Sequence, residues 1–242
     1  MNVAHFAVQH LGLVPYEQTW RLQEGYTDEI ARGERPQTLL LLEHPHTYTF
    51  GRRGQIQNLL WDEAELSRRG ITVQWVDRGG DVTYHGPGQL VGYPLLVLAR
   101  GGLHAKSESG SPRLPQTDYV GYVRKLEGVI ITALAQLGVA SKRVKGLTGV
   151  WIPPAKMGKA GTLPAKIAAI GVKVDVNGVS RHGFALNVDP GMSYWEGIVG
   201  CGLKDYPVTS LAKLLDPVPA MDQVIEAVIA AFEEVFEMRR LS

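Results

Sequence analysis

The tightest constraint on this chain is the stretch RGGDVTYHGPGQLVGYP at residues 78–94, where five glycines alternate with Arg78, Asp81, Thr83, Tyr84, His85 and Gln89. Glycine accepts positive φ and lets a ligand lie against the main chain, so glycines at this density point to backbone forming one wall of a binding site. A Gly-rich segment is often no more than a turn between strands. The interleaved Arg, Tyr, His and Gln argue for the binding role here. The apolar run at 90–98 reads as a buried strand, a stiff support behind the loop.

The rest of the chain alternates between strand and helix patterns. Residues 3–8 suit a first strand, and 16–32 a helix with Tyr16, Trp20 and Ile30 on one face, stopped by Gly33 and Pro36. The run TLLLL at 38–42 predicts a central strand buried on both sides. A polar and aromatic loop is expected over 43–54, a short helix over 62–69 and a strand over 71–76. Helix spacing returns at 119–137, where Tyr119, Tyr122, Val123, Leu126, Val129, Ile130 and Leu134 share a face, and Gly138 ends it. A short strand is expected at 149–152. Asn177-Gly178 between extended runs predicts a hairpin, with strands over 166–176 and 182–188. Thr209 or Ser210 suits the start of a short helix, and 221–236 is an amphipathic helix covering the core. Residues 100–117 and 155–164, rich in Gly, Ser, Pro and scattered charge, read as exposed loops, insertions or lids.

Bulk properties exclude several functions. With 242 residues and 45% hydrophobic content, the chain can bury a sizeable core as one large domain or a main domain with an appendage. A formal net charge of +1 supplies no global field for nucleic acid or a membrane surface. No run reaches transmembrane length, and the N-terminus lacks the pattern of a signal peptide. The single cysteine, Cys201, rules out an internal disulfide and suits a reducing compartment, so a cytoplasmic location is expected.

Beyond the Gly-rich stretch, Lys166 and Cys201 stand out. A lone cysteine is most often a small core hydrophobe. Between Gly200 and Gly202, however, Cys201 lacks bulky neighbours and a substrate can reach it. Thiolate attack on a thioester is nearly balanced in energy, which suits moving an acyl group between carriers. A free thiol, with a pKa of about 8.5, needs a neighbouring cation to attack at neutral pH. Lys166, at the start of an otherwise apolar strand, is one candidate for that cation; His85 is the other. Amides around Gly171 and Gly183 could serve an acyl oxygen. His44 and His46 lack the carboxylate or thiol pattern of a metal site. No phosphate loop or dinucleotide fingerprint is present. The basic residues Lys142, Arg143 and Lys145 form either a solvated face or a landing surface for an acidic partner.

The segment RGGDVTYHGPGQL at 78–90 resembles the signature of the lipoyl(octanoyl) transferases. The similarity continues through Leu42-Glu43-His44-Pro45 with Tyr48, Thr49 and Gly51, then Gly149-Val150-Trp151, and KIAAIG at 166–171. It resumes in HGFALN at 182–187, Cys201-Gly202 and Val208-Thr209-Ser210-Leu211. The resemblance implies an α/β fold, a mixed sheet packed with helices of the biotin/lipoate protein ligase-like (class II aminoacyl-tRNA synthetase-like) kind, with one catalytic domain over 1–242. It implies transfer of an octanoyl group from octanoyl-acyl carrier protein to a lysine of lipoyl domains in 2-oxoacid dehydrogenase complexes or the glycine-cleavage H protein, without cofactor or metal. By the same resemblance, Cys201 carries the acyl group as a thioester, while Lys166 lowers the thiol pKa and handles protons. Arg78, Gly79, Gly80, Asp81, Val82, Thr83, Tyr84, His85, Ala169, Ile170, Gly171, Gly183, Phe184 and Ala185 line the acyl pocket. Arg52, Arg53, Lys142, Arg143 and Lys145 would then suit acidic partner proteins. The rivals are an ATP-dependent lipoate or biotin protein ligase on the same fold, and a non-catalytic acyl-binding protein.

Overall fold

In the computed structural model, described over residues 4–98, 116–154 and 162–241, a mixed eight-stranded sheet carries a smaller three-stranded sheet at one side. The large sheet contains β1 (Ala4–Leu13), β2 (Thr38–Glu43), β6 (Gln89–Leu95), β7 (Lys142–Val144), β8 (Leu147–Ile152), β9 (Ala165–Val174), β10 (Ser180–Asn187) and β11 (Met238–Arg240). Its order is β11-β1-β2-β6-β10-β9-β8-β7; β1 pairs in parallel with β11 and β2, and the remaining neighbours are antiparallel. The small sheet has the order β4-β3-β5, from β3 (Thr47–Phe50), β4 (Thr72–Trp75) and β5 (Val82–His85).

The expected central strand at 38–42 lies within β2, and its alternation separates two cores. Leu39 and Leu41 pack with α3 (Gln116–Gln136) and α4 (Met221–Phe236), whereas Leu40 and Leu42 join the cluster beneath α1 (Tyr16–Ala31). An apolar residue at every position is what a strand with a helix layer on each face requires. The Asn177-Gly178 hairpin is present too, with Val174 opposite Ser180.

Three segments differ from their sequence patterns. Residues 47–50, expected as loop, form β3, because every second side chain, Tyr48 and Phe50, enters a third core with Leu66, Ile71, Val82 and Tyr84. Residues 82–85 of the Gly-rich stretch form β5 antiparallel to β3. The buried stripe of α1 is largely polar, Tyr16, Thr19, Gln23, Thr27 and Ile30, so apolar periodicity understates it; Gln23 Oε1 accepts the His182 amide at 2.7 Å. The loops expected at 100–117 and 155–164 lie outside the described residues, apart from Gln116 and Thr117, which open α3, and residues 162–164. Among the described residues, no helix is long and apolar enough to cross a membrane.

Candidate active site

A cavity of about 660 Å³ opens between β6, β9 and β10 of the large sheet and the Gly-rich stretch that leads into β5. The stretch is tied to the large sheet by Gly79 N–H, which donates to Val172 O at 3.0 Å. It is tied to the preceding loop by Arg52 N–H to Arg78 O (2.9 Å) and Arg53 N–H to Gly80 O (3.1 Å). Strand alternation then sorts its side chains. Thr83 and His85 line the cavity, together with Arg78, Gly79, Gly80 and Asp81. Val82 and Tyr84, grouped with the pocket by resemblance, are a correction: their side chains lie on the opposite face of β5, in the small-sheet core. From the hairpin, Ala169, Ile170, Gly171, Gly183, Phe184 and Ala185 all line the cavity, as do Lys166 and Cys201.

Lys166 and Cys201 meet at this wall: Nζ stands 3.3 Å from Sγ. Each is positioned by backbone. The register of β8 against β9 shifts between Val150 and Trp151, so that Val150 faces Ala168 and Trp151 faces Lys166. Such a bulge re-aims a side chain. The Lys166 stem passes Gly149, which has φ +113°; a Cβ there would lie 3.6 Å from Lys166 Cε and 2.6 Å from Ala168 O. The ammonium sits 4.7 Å from the centre of the Trp151 ring, a cation–π contact. Segment 207–209 clamps the main chain of Lys166, through Lys166 N–H to Pro207 O (2.8 Å) and Thr209 N–H to Lys166 O (2.9 Å).

Cys201 occupies the left-handed region, φ 56° and ψ 20°, an uncommon conformation for a residue with a side chain. The turn is braced by Gly202 N–H to Val199 O (3.0 Å) and Leu203 N–H to Gly200 O (3.1 Å). Val199 N–H donates to Asn58 O (2.8 Å), and Leu60 N–H to Gly197 O (2.8 Å). The Asn58 side chain in turn donates to Asp81, whose carboxylate also accepts Gln55 N–H (3.0 Å) and Val82 N–H (2.7 Å). The cysteine turn and the Gly-rich stretch therefore share one scaffold.

Deeper in the cavity many of the polar groups are bonded to one another. Arg78 donates to Thr49 O (2.6 Å), Thr49 Oγ1 (2.9 Å) and Gly79 O (2.9 Å); burial lowers its pKa. Gln89 Nε2 donates to Tyr84 O (3.0 Å) and Asn187 Oδ1 (2.9 Å), so its Oε1 faces His85 Nδ1 at 2.8 Å. His85 therefore carries its proton on Nδ1, and its Nε2 accepts from Thr49 at 3.3 Å. Burial holds this imidazole far below its ordinary pKa, so it is neutral with both nitrogens engaged. His44, pushed down to about 4 by burial, donates from Nδ1 to Val14 O (2.7 Å) and accepts from the Tyr93 hydroxyl (2.8 Å). His182 donates to Asp77 at 2.7 Å and accepts from Tyr16 at 3.3 Å. Burial raises the Tyr16 hydroxyl to about 12. Burial opposes ionisation of Asp77, yet hydrogen bonds from His182 and Lys173 and the charge of Arg181 hold it far below the carboxylate range.

Sequence reasoning missed Tyr16, Asn58, Tyr93, Tyr119, Val123, residues 146–148 and His182 as lining groups. Tyr93 and His182 lie inside segments singled out for other reasons. Asn58 carries no sequence signal at all. His44 and His46 point into different environments, the second onto Tyr84 and Tyr194. Among the described residues, no group of three or more His, Cys, Asp or Glu is placed to hold a metal.

The geometry can be set beside known proteins. Residues 15–233 match the family described as "Lipoyl protein ligase A/B catalytic domain". The chain is 43% identical over 232 residues, 96% of its length and 95% of the relative's, to "Octanoyltransferase" of Chloroflexus aggregans. Its identity to "Octanoyltransferase" of Rubrobacter xylanophilus is 40%, over 93% of this chain and 90% of that one. The chain belongs to the octanoyltransferases. It is an acyltransferase that moves octanoyl groups in protein lipoylation. The fold of this octanoyltransferase is shared with a solved bipartite lipoate protein ligase from Thermoplasma acidophilum, at TM-score 0.68 and 17% identity, covering 99% of this chain and 88% of that one. A lipoate-protein ligase A bound with ATP superposes equally well, at TM-score 0.68 and 14% identity, covering 100% of this chain and 90% of that one.

Proposed function

We propose that the octanoyl group travels from octanoyl-acyl carrier protein to Cys201, and from there to the lysine of a lipoyl domain. The observation that carries this reading is the Lys166 Nζ to Cys201 Sγ distance of 3.3 Å at the wall of a cavity large enough for an eight-carbon chain. An ammonium beside a sulfur favours the thiolate over the thiol. In the first half-reaction the Cys201 thiolate attacks the donor carbonyl carbon, and the donor sulfur leaves with the Lys166 proton. In the second, the acceptor amine attacks the Cys201 thioester, neutral Lys166 takes the amine proton, and Cys201 leaves as thiolate. The pair returns to its starting state, and no ATP is consumed because the thioester stays activated. His85 plays no part in these transfers, since both its nitrogens are engaged in the deeper network.

Acceptors of this chemistry are the lipoyl domains of 2-oxoacid dehydrogenase complexes and the glycine-cleavage H protein. Arg53 lines the cavity and Lys145 adjoins lining residue Gly146, so both suit acidic partners at the mouth. Arg143 has a different task, since its Nε donates to buried Glu127 at 3.0 Å.

The test is intact mass and peptide mapping after incubation with octanoyl-acyl carrier protein without ATP. A hydroxylamine-sensitive adduct on Cys201, discharged by an apo lipoyl domain, is the expected result. Transfer that appears only with ATP and free octanoate would overturn the reading in favour of a ligase. Octanoate binding without any transfer would indicate an acyl-binding protein.

A further inference from the structure

Lys166 is 6% exposed, and among the described residues no carboxylate pairs with it; the lysine with such a partner is Lys173, on Asp77. Lysines are rarely this buried without a counter-charge. The ammonium instead meets the Cys201 sulfur at 3.3 Å and the face of the Trp151 ring, 4.7 Å from its centroid. An aromatic face is electron-rich and attracts a cation, most strongly when the ring is tryptophan.

Packing alone does not account for Trp151. Its side chain is fully buried, and its indole N–H has no hydrogen-bond partner among the described residues. A buried tryptophan usually satisfies that group, and leaving it unpaired is costly. Phenylalanine or leucine would fill apolar space without that cost. What the indole offers beyond them is the strongest ring face for a cation.

The backbone brings ring and ammonium together. Trp151 lies opposite Lys166 across β8 and β9, and directly opposed residues of an antiparallel pair project to the same side. Continued from the pair Val150 and Ala168, an unshifted register would set Trp151 opposite Ile167, a residue of the large core. The bulge replaces that neighbour with the lysine. The ring also meets Tyr206, with centroids 5.3 Å apart and planes at 68°, and the next residue, Pro207, accepts the Lys166 N–H. One segment therefore steadies both the ring and the lysine main chain.

We propose that Trp151 is a positioning residue whose ring face holds the Lys166 ammonium against Cys201 without competing for its proton. The assignment rests on the acyl-transfer reading above and deepens it. That reading requires Lys166 to surrender a proton to the departing donor sulfur and to regain one from the acceptor amine. A carboxylate in place of the ring would favour the charged lysine strongly and oppose the release of that proton. The indole has no basic lone pair, so the proton passes only between Lys166 and the reacting groups.

The experiment places tryptophans carrying one, two or three fluorines site-specifically at Trp151. Fluorine drains the electron-rich face and leaves the size and contacts of the ring nearly unchanged. Single-turnover acylation of Cys201 by octanoyl-acyl carrier protein is expected to slow with each fluorine, about 3- to 30-fold in all, at little change in half-saturating donor concentration. A purely structural ring would not give that graded loss. The same series at Trp75, which is 55% exposed and stacked on Phe50, is expected to leave the rate unchanged. Trp151→Phe, with a weaker face, should fall between wild type and Trp151→Leu. Rates independent of fluorine number at Trp151, or an equal decline at Trp75, would overturn the assignment. If the phenylalanine or leucine variant does not fold, the fluorinated series decides alone. A wild-type protein that forms no octanoyl adduct on Cys201 would instead refute the acyl-transfer reading itself.

Discussion

In the proposed transfer Cys201 and Lys166 have different tasks, so their substitutions should fail differently. Cys201→Ala is expected to abolish both the acyl adduct and transfer, with the cavity and the unfolding midpoint nearly unchanged, because the side chain is only partly buried. Lys166→Met keeps the stem over Gly149 and removes the charge. It is expected to lower the acylation rate by about 10²–10⁴-fold, as measured by single-turnover adduct formation. Histidine burial makes a separate, testable statement about stability. His44 is held at about 4 in the folded protein against 6.5 unfolded. Between those pH values the unfolded chain binds a proton that the native protein does not, so stability falls as pH falls. His85 is shifted in the same direction by its burial. Each contributes up to about 1.4 kcal/mol per pH unit in that window. Urea midpoints should therefore change little from pH 7.5 to about 6.5 and then decline towards pH 5.

Among the elements, β8 and α3 together aim the lysine. Glu127 on α3 is fully buried; it pairs with Arg124 (2.6 Å) and Arg143 (3.0 Å), and its other oxygen accepts Gly149 N–H at 3.1 Å. Helix spacing alone places Glu127 beside core residues Leu126 and Ile130, where an acid looks out of place. The explanation is the start of β8, whose main chain it anchors at Gly149, the residue the Lys166 stem passes. Glu127→Leu leaves that amide unpaired, a cost of about 1–3 kcal/mol. It should show in denaturant titrations, together with a lower kcat at unchanged donor KM. In the middle of the large sheet, Gly92 on β6 faces Phe184 on β10, and a Cβ at Gly92 would lie 2.1 Å from the Phe184 ring. Gly92→Ala is expected to destabilise by about 1–3 kcal/mol through overpacking and to disturb the cavity wall that Phe184 forms, as a loss of midpoint and a raised donor KM would report.

At the scale of the whole molecule the cavity exists because two sheets meet. The large sheet brings the hairpin, β5 brings the Gly-rich stretch, and the turn at Gly200–Gly202 closes the wall between them. Charge at the rim belongs to this scale too, since the chain as a whole carries only +1. Reversing Arg53 and Lys145 to Glu is expected to raise the KM for the protein donor and flatten its salt dependence, while acylation by octanoyl-pantetheine is unaffected. Steady-state kinetics over ionic strength would show it. Much of this was legible from local pattern. The buried run at 38–42, the Asn177-Gly178 hairpin and the two long amphipathic helices follow from side-chain period and turn chemistry, which act over a few residues. So did the motifs that mark the family, and with them its acyl-transfer chemistry. What only the tertiary structure decided depends on residues distant in sequence. Lys166 and Cys201 come within 3.3 Å because a strand bulge and a left-handed turn converge. Val82 and Tyr84 turn away from the cavity because pairing with β3 fixes the face each side chain takes. Asn58 and Glu127 act through hydrogen bonds to main chain elsewhere, and such bonds leave no periodicity in the sequence from which they could be read.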